Sequence, residues 1–290
     1  MNLRMRLHIN KRKPNRSLGG DIGIYAILLC VGAFMVLPLI YAISNAFKPI
    51  DELFIFPPRF FVINPSLDNF RDLFVLMNSS WVPFSRYIFN TVFITVAGTT
   101  GHVLIASLAA YVLEKHKFPG QRLFFSIVII TLMFSGVVTA IPNYIIMVKL
   151  HLIDTYLAII LPALAMPLGL FLMKQFMASV HDSLIESAKI EGAGELGIFF
   201  KIVMPMVKPA WLTLIIFSMQ SLWNATGGTF IFKEELKTLT YALNQIILGG
   251  IARVGIGSAV TLIMMSVPII TFIITQNNII QTMTSAGVKE

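Results

Sequence analysis

Apolar residues fall along this chain in long blocks rather than in alternation. Six stretches contain no Asp, Glu, Lys or Arg: 22–47, 87–113, 123–148, 155–173, 209–232 and 254–288. A helix needs roughly 20 residues to cross the hydrocarbon of a bilayer, and each block reaches or approaches that length. Lipid offers a backbone no hydrogen-bond partner except itself, so each block is expected to be helical. Pro38, Pro142, Pro162, Pro167 and Pro268 lie inside the blocks and predict kinks, or helix ends near the block edges. The expectation is an all-α polytopic membrane protein with six transmembrane helices. Between the last two blocks, Leu236, Leu239, Leu243 and Ile247 recur at helical spacing, which predicts a short helix lying at the outer interface.

Six spans put both termini on one side, and the basic residues choose that side. With the N-terminus inside, segments 1–20, 114–122, 174–208 and 278–290 carry 14 Lys and Arg. The outer segments 48–86, 149–154 and 233–253 carry 8. The larger inner total satisfies the positive-inside rule and places both termini in the cytoplasm. The predicted organisation is a basic tail over 1–20, a first span over 21–47 and an outer loop over 48–86. A permease core follows over 87–277, containing an inner loop at 177–207, and a cytoplasmic tail closes the chain at 278–290. The outer loop's FPPRFFVINPSLDNF, rich in Pro and aromatics, predicts structure on the membrane surface.

Composition agrees: 56% of residues are hydrophobic and 12% charged, against about 25% charged in soluble domains. The net charge of +8 includes Arg4, Arg6, Lys11, Arg12, Lys13 and Arg16, with no acid before Asp21. Ahead of an apolar block this cluster reads as a topology signal rather than a nucleic-acid site. The block after it is far longer than a signal-peptide core and ends in no small-residue cleavage site, so it reads as a retained helix. Cys30 is the only cysteine, which excludes an intrachain disulfide.

The inner loop interrupts this apolar chain with ESAKIEGAGELGIFFKIVMP, residues 186–205. Ser183-x-x-Glu186 fits a capping box and predicts a helix starting near Leu184. Ala188 favours that helix, and Gly192 is placed to end it in a positive-φ conformation. Leu196, Phe199, Phe200 and Ile202 form a second helical pattern, which Pro205 is expected to end. Two short helices joined at a bend can be a solvated connector, or a knob with one face on the membrane helices and the other in a partner's cleft. The loop has no His/Cys cluster and no Ser/His/Asp arrangement, so it is poor material for catalysis.

From Glu186 to Pro205 the chain reads E-S-A-x-x-E-G-A-x-x-x-x-x-F-x-x-I-x-M-P. This resembles the loop E-A-A-x-x-D-G-A-x-x-x-x-x-F-x-x-I-x-L-P of ABC importer permeases, with Ser187, Glu191 and Met204 as conservative departures. FPPRFFVINPSLDNFRDLF, YVLEKHKFPGQR (111–122), IPNYIIMVKLHLIDTYLAIILP (141–162), SLWNA (221–225) and the closing IIQTMTSAGVKE are similar to segments of the carbohydrate (maltose-type) branch, second permease subunit. The resemblance runs from about residue 22 to the end and implies the type I importer fold. It implies that Glu186, Ala188, Glu191, Gly192, Ala193, Phe199, Ile202 and Pro205 couple this chain to an ATPase. Glu186 would meet a basic residue, Gly192 would permit the bend, and Ala188 and Ala193 would keep the contact close. Phe199, Ile202 and Pro205 would fix the knob to the membrane core. The implied partners are a second permease subunit, two ATPase subunits, an extracytoplasmic solute-binding protein and the bilayer of a bacterial or archaeal cell membrane, with no nucleic acid.

The chain has no G-x-x-x-x-G-K-[ST] phosphate cradle. It is therefore expected to be a non-catalytic subunit without its own cofactor, ATP and Mg being held by the partner ATPase. Polar groups at mid-membrane level mark candidate solute contacts: Asn143, Tyr144, Gln220, Trp223 and Asn224. The alternative for each is interhelical hydrogen bonding. His102 reads as a packed, hydrogen-bonded residue. Oligosaccharide import is the leading functional expectation. An ion-coupled carrier, disfavoured by charge-free spans, and a non-transporting scaffold are the alternatives.

Overall fold

The computed structural model describes residues 18–78, 81–250 and 253–286, with side chains placed as far as Gln276. The basic tail over 1–17 lies outside the described residues. Among those described there is no strand. The first span, α1 (Leu18–Phe47), is apolar on every side and exposed along most of its length. It leads into an outer loop that is folded rather than trailing, with α2 (Ile50–Leu53) and α3 (Asp68–Asn78). Its backbone groups are satisfied by buried side chains. Glu52 accepts from the amides of Ile63 (3.0 Å) and Asn64 (2.8 Å). Asn69 Nδ2 donates to the carbonyls of Ala46 and Lys48. Lys48 Nζ donates to Asn45 Oδ1 (2.8 Å) and to the Arg59 carbonyl (2.5 Å).

The second span, α4 (Phe84–Lys115), is 32 residues long and forms the axis of the fold. At 1.5 Å per residue it runs about 48 Å. Small residues let neighbours approach it closely. A Cβ on Gly98 would stand 2.6 Å from Leu222, and one on Gly101 would stand 2.7 Å from Leu164. Close approach of this kind is how helices associate where lipid supplies no hydrophobic drive. His102 is buried, with Nδ1 3.2 Å from the Leu164 carbonyl.

The third block departs from the predicted continuous span. It forms α5 (Gln121–Thr131) and α6 (Gly136–Lys149), bent by 111°. Ser135 takes an extended conformation and its hydroxyl accepts from the Val137 amide, so a new helix starts there. The fourth block is α7 (Leu157–Leu164) and α8 (Pro167–Met177), interrupted where Pro167 opens α8. The fifth block is also shorter than its charge-free window. After the inner loop, whose short helices α9 (Asp182–Ile190), α10 (Glu195–Ile198) and α11 (Met204–Met206) are described below, α12 (Lys208–Trp223) stops well before residue 232. Asn224 closes it, its Nδ2 on the Gln220 carbonyl at 2.8 Å, and the turn at Gly227 (φ +64°) reverses the chain. A short outer helix, α13 (Leu239–Ile247), follows as the pattern predicts, with Leu239 and Leu243 buried. The last helix, α14 (Val254–Ala286), continues through the predicted boundary at 277.

Among the described residues, four helical segments are long and apolar enough to cross a membrane, or up to six if each bent pair counts as one span. Three apolar clusters hold the bundle. One joins α4, α8 and α12 to the inner loop, and a second joins α3, α13 and α14 at the other end of the molecule. The third, between α4, α7 and α12, includes Ile94, Ile160 and Leu222.

Candidate functional site: the inner hairpin and its mounting

The inner loop folds as a bent helical hairpin. Helix α9 begins two residues earlier than the capping-box reading predicts. His181 occupies the N-cap without a side-chain hydrogen bond, and Ser183 already lies inside the helix, where it accepts from Ser187 Oγ at 2.9 Å through its carbonyl. The box does not form, and Glu186 is left exposed with no hydrogen bond or ion pair among the described residues. Asp182 opens the helix in its place. Lys115 Nζ reaches both Asp182 Oδ1 (2.7 Å) and the Val180 carbonyl (2.5 Å), which attaches the hairpin's first turn to the end of α4. The lysine, hydrogen-bonded to the Asp182 carboxyl, holds it below the usual carboxylate range.

Gly192 ends α9 at φ +83°. Its amide donates to the Lys189 carbonyl (3.0 Å) and the Ala193 amide reaches back to Ala188 (2.9 Å). These paired bonds are the Schellman closure that a left-handed residue permits. Ala188 is buried, Ala193 is half-buried in the same cluster, and Glu191 is exposed.

Beyond the bend, α10 opens on Glu195, which sequence reasoning missed. Its carboxylate collects three groups: Tyr111 Oη donates to Oε2 at 2.9 Å, Lys189 Nζ stands 2.6 Å from Oε1, and His116 Nε2 lies 3.6 Å from Oε2. Lys189 first, then the Tyr111 hydroxyl, hold this acid below its ordinary range. Glu195 thereby links both arms of the hairpin to the C-terminal end of α4. An acid in a first helical turn is a recognisable feature, but nothing local marks Tyr111 as its partner.

Phe199–Val203 form a π-turn that leads into α11. Phe199 is 1% exposed, with its ring 5.4 Å from that of Tyr111. Ile202 is half-buried against the same cluster. Pro205 behaves differently from expectation on two counts. It is exposed rather than packed on the core, and the helical path runs past it to Met206. The wider π-turn accommodates a residue with no N–H, since Met204 already donates five residues back, to Phe199. The break comes at Val207, where the path bends by 83° into α12, and Trp211 Nε1 ties across it to the Met204 carbonyl at 3.1 Å.

The hairpin's outward face is both apolar and acidic. Ile190 is 88% exposed and Leu196 67%; Leu184, Glu186 and Glu191 are exposed beside them. The opposite face, with Ile185, Ala188, Ile198, Phe199 and Val203, is buried against α4, α8 and α12.

The five candidate solute residues do not form one constellation. Asn143 and Tyr144 are half-buried on α6, where the Tyr144 ring stacks on Phe230 with centroids 6.4 Å apart. Gln220 is exposed and lines a cavity of about 260 Å³ with Met219, Pro268 and Phe272. Trp223 is buried, and its indole N–H bonds the Met264 carbonyl at 3.0 Å, so it serves the α12–α14 contact. Asn224 is the exposed cap of α12.

Comparison with known proteins fits this architecture. The chain is 33% identical over 250 residues to the polygalacturonan/rhamnogalacturonan transport system permease protein YtcP of Bacillus subtilis, covering 82% of this chain and 84% of that one. It is 31% identical over 297 residues to the arabinooligosaccharides transport system permease protein AraQ of Halalkalibacterium halodurans, covering 96% and 99%. Its fold matches a solved bacterial ABC transporter involved in import of the acidic polysaccharide alginate. There the TM-score is 0.76 at 22% identity, over 91% of this chain and 99% of that one. Residues 102–284 match the binding-protein-dependent transport system inner membrane component family. With that match spanning more than half of its length, and helices suited to multiple membrane passages, this chain belongs to that family of transport permeases.

Proposed function

We propose that this protein is one half of the membrane pathway of an ABC importer for an oligosaccharide, worked from the cytoplasm by a separate ATPase. The observation that carries the reading is the inner hairpin. It exposes Leu184, Glu186, Ile190, Glu191 and Leu196, while Tyr111–Glu195 and Lys115–Asp182 fix its base to α4. An exposed apolar face with flanking acids fits a basic-rimmed groove on a partner. In this reading Ile190 and Leu196 enter that groove and Glu186 meets a cation at its edge, while Gly192 and Ala193 keep the bend close to the partner. A push on α9 travels into α4, because Phe199 and Glu195 leave the hairpin no independent hinge there. Helix α4 in turn carries α7, α8 and α12, so the membrane helices move together.

ATP and Mg belong to the partner ATPase, whose two copies would serve this chain and a second, homologous permease. A solute-binding protein delivers the sugar to the outer face; one solved alginate transporter of similar fold (TM-score 0.60) is in complex with a periplasmic protein bound to alginate pentasaccharide. Both termini lie in the cytoplasm of the cell. Gln220, Asn143 and Tyr144 remain solute-contact candidates, whereas Trp223 positions α12. Oligosaccharide is favoured as cargo because AraQ and YtcP are named for sugar polymers. The alternatives, an ion-coupled carrier and a scaffold, sit poorly with membership of a binding-protein-dependent family.

The test is affinity purification of the tagged chain from native membranes. A Walker-type ATPase and a second permease should come down with it. Ile190→Asp should release the ATPase while leaving the permease pair intact. Recovery of the wild-type chain with no ATPase would overturn the reading.

A further inference from the structure

At the end of α4 opposite the hairpin, the chain holds an aromatic side chain with no cover. Trp81 is 100% exposed. It stands at the junction of two clefts, of about 700 and 810 Å³, which share Trp81, Val82 and Glu235. The first adds Pro83, Ser85, Arg86 and Phe89, and the second adds Lys233 and Glu234. Indole is costly to leave in water and is among the strongest anchors known at binding surfaces.

The surroundings of Trp81 are polar and fixed in place. The Arg86 guanidinium lies over the Phe89 ring at 5.7 Å and gives its Nε to the Glu235 carbonyl at 3.3 Å. Neither its terminal nitrogens nor the Glu235 carboxylate has a further partner among the described residues. The 233–235 segment is itself held down: Asn90 Nδ2 donates to the Glu235 carbonyl at 2.9 Å, Tyr87 Oη donates to Glu234 Oε1 at 2.9 Å, and Asp154 accepts from the Phe232 and Lys233 amides. Val82 is buried in the cluster beneath. So a flat apolar ring stands beside a guanidinium donor and a carboxylate acceptor, all mounted on a rigid floor.

We propose that this cleft is a saccharide-binding subsite at the outer mouth of the permease. A sugar ring has an apolar C–H face and equatorial hydroxyls that both donate and accept. The Trp81 ring offers the apolar contact, the Arg86 terminal N–H groups donate to hydroxyl oxygens, and the Glu235 carboxylate accepts hydroxyl protons. Lys233 and Arg86 also tolerate a uronate carboxylate. Its lining differs from the residues predicted for the membrane interior. This inference rests on the importer reading for its biological meaning, while the binding it asserts stands on the geometry alone.

The experiment uses the assembled transporter in nanodiscs without its solute-binding protein. Saturation-transfer NMR is recorded with arabinotriose and with trigalacturonate as probes. Transfer to ring protons of at least one probe is expected. It should fall at least fivefold in Trp81→Ala and more than twofold in both Arg86→Ala and Glu235→Gln. No transfer from either probe in the wild-type complex would overturn the proposal, as would equal transfer in Trp81→Ala. Loss of binding-protein affinity in Trp81→Ala with no saccharide signal in the wild type would assign the cleft to protein docking and also overturn it. None of these outcomes touches the ATPase pull-down, so failure here is separable from failure of the importer reading.

Discussion

The Tyr111 hydroxyl donates to Glu195 Oε2 at 2.9 Å, joining residues 84 positions apart. Tyr111 sits near the C-terminal end of α4 and Glu195 at the elbow of the inner hairpin, so this bond closes the hairpin onto the long axial helix. Tyr111→Phe keeps the ring packed on Phe199 and removes only the donor. A hydrogen bond to a charged group contributes about 1.5–3 kcal/mol, and the half-exposed carboxylate places this one at or below the low end, about 1 kcal/mol. A lower melting temperature and fewer solutes moved per ATP are expected, read by nanodisc calorimetry and by coupled transport assays. Unchanged coupling would show that the hairpin transmits force without this bond.

Acid should loosen the same mounting. The Glu195 and Asp182 carboxyls are held below their usual values by Lys189 with Tyr111 and by Lys115. A depressed folded-state value means the stabilisation is complete above the ordinary carboxylate range and is lost as pH falls through the lowered values. Thermal stability followed from neutral pH downward should therefore drop more in the wild type than in a Glu195→Gln, Asp182→Asn double variant. Parallel curves would count against the mounting.

Gly192 needs its backbone, not its space. Its φ is +83° and an added Cβ would meet nothing within 4 Å. Gly192→Val should thus cost about 1–2 kcal/mol from left-handed strain alone. The variant should insert normally and hydrolyse ATP with reduced solute movement. Gly192→Asn, which tolerates this conformation, should recover most of the coupling. Equal behaviour of Val and Asn would point to another cause.

Gly169 presents the opposite case. A Cβ there would stand 2.2 Å from His102 Nε2, between α8 and α4. Gly169→Ala should destabilise by about 1–3 kcal/mol, in the range of overpacked cores. Adding His102→Ala should restore part of the loss, since it removes the atom that clashes. A double variant no better than Gly169→Ala would place the strain elsewhere.

Much of this was legible residue by residue. Gly192 was readable because only a positive-φ residue closes a helix in that way, and Ala188 was readable as a helix former, whereas its burial against the other helices was not. The short outer helix was readable from Leu239 and Leu243. The breaks were not. Nothing apolar or charged distinguishes 132–135 from their neighbours, and Ser135 becomes a cap only because the chain turns there. The Thr226-Gly227-Gly228 turn did mark the early end of α12, but the absence of charge up to Lys233 hid it. Ser183 and Glu186 spelled a capping box that Asp182 and Lys115 displaced, two residues of register being decided by a contact from another helix.

The sequence by itself determined where the chain avoids charge, how its cations divide among the loops and where a left-handed residue ends a helix. These depend on desolvation and backbone geometry within a few neighbouring residues. Only the tertiary structure decided that Glu195 is the elbow's anchor, that Trp223 faces Met264 and that Trp81 stands uncovered beside Arg86. Those outcomes depend on which helices lie side by side, and the energy that selects a packing arrangement is spread over side chains far apart in the chain.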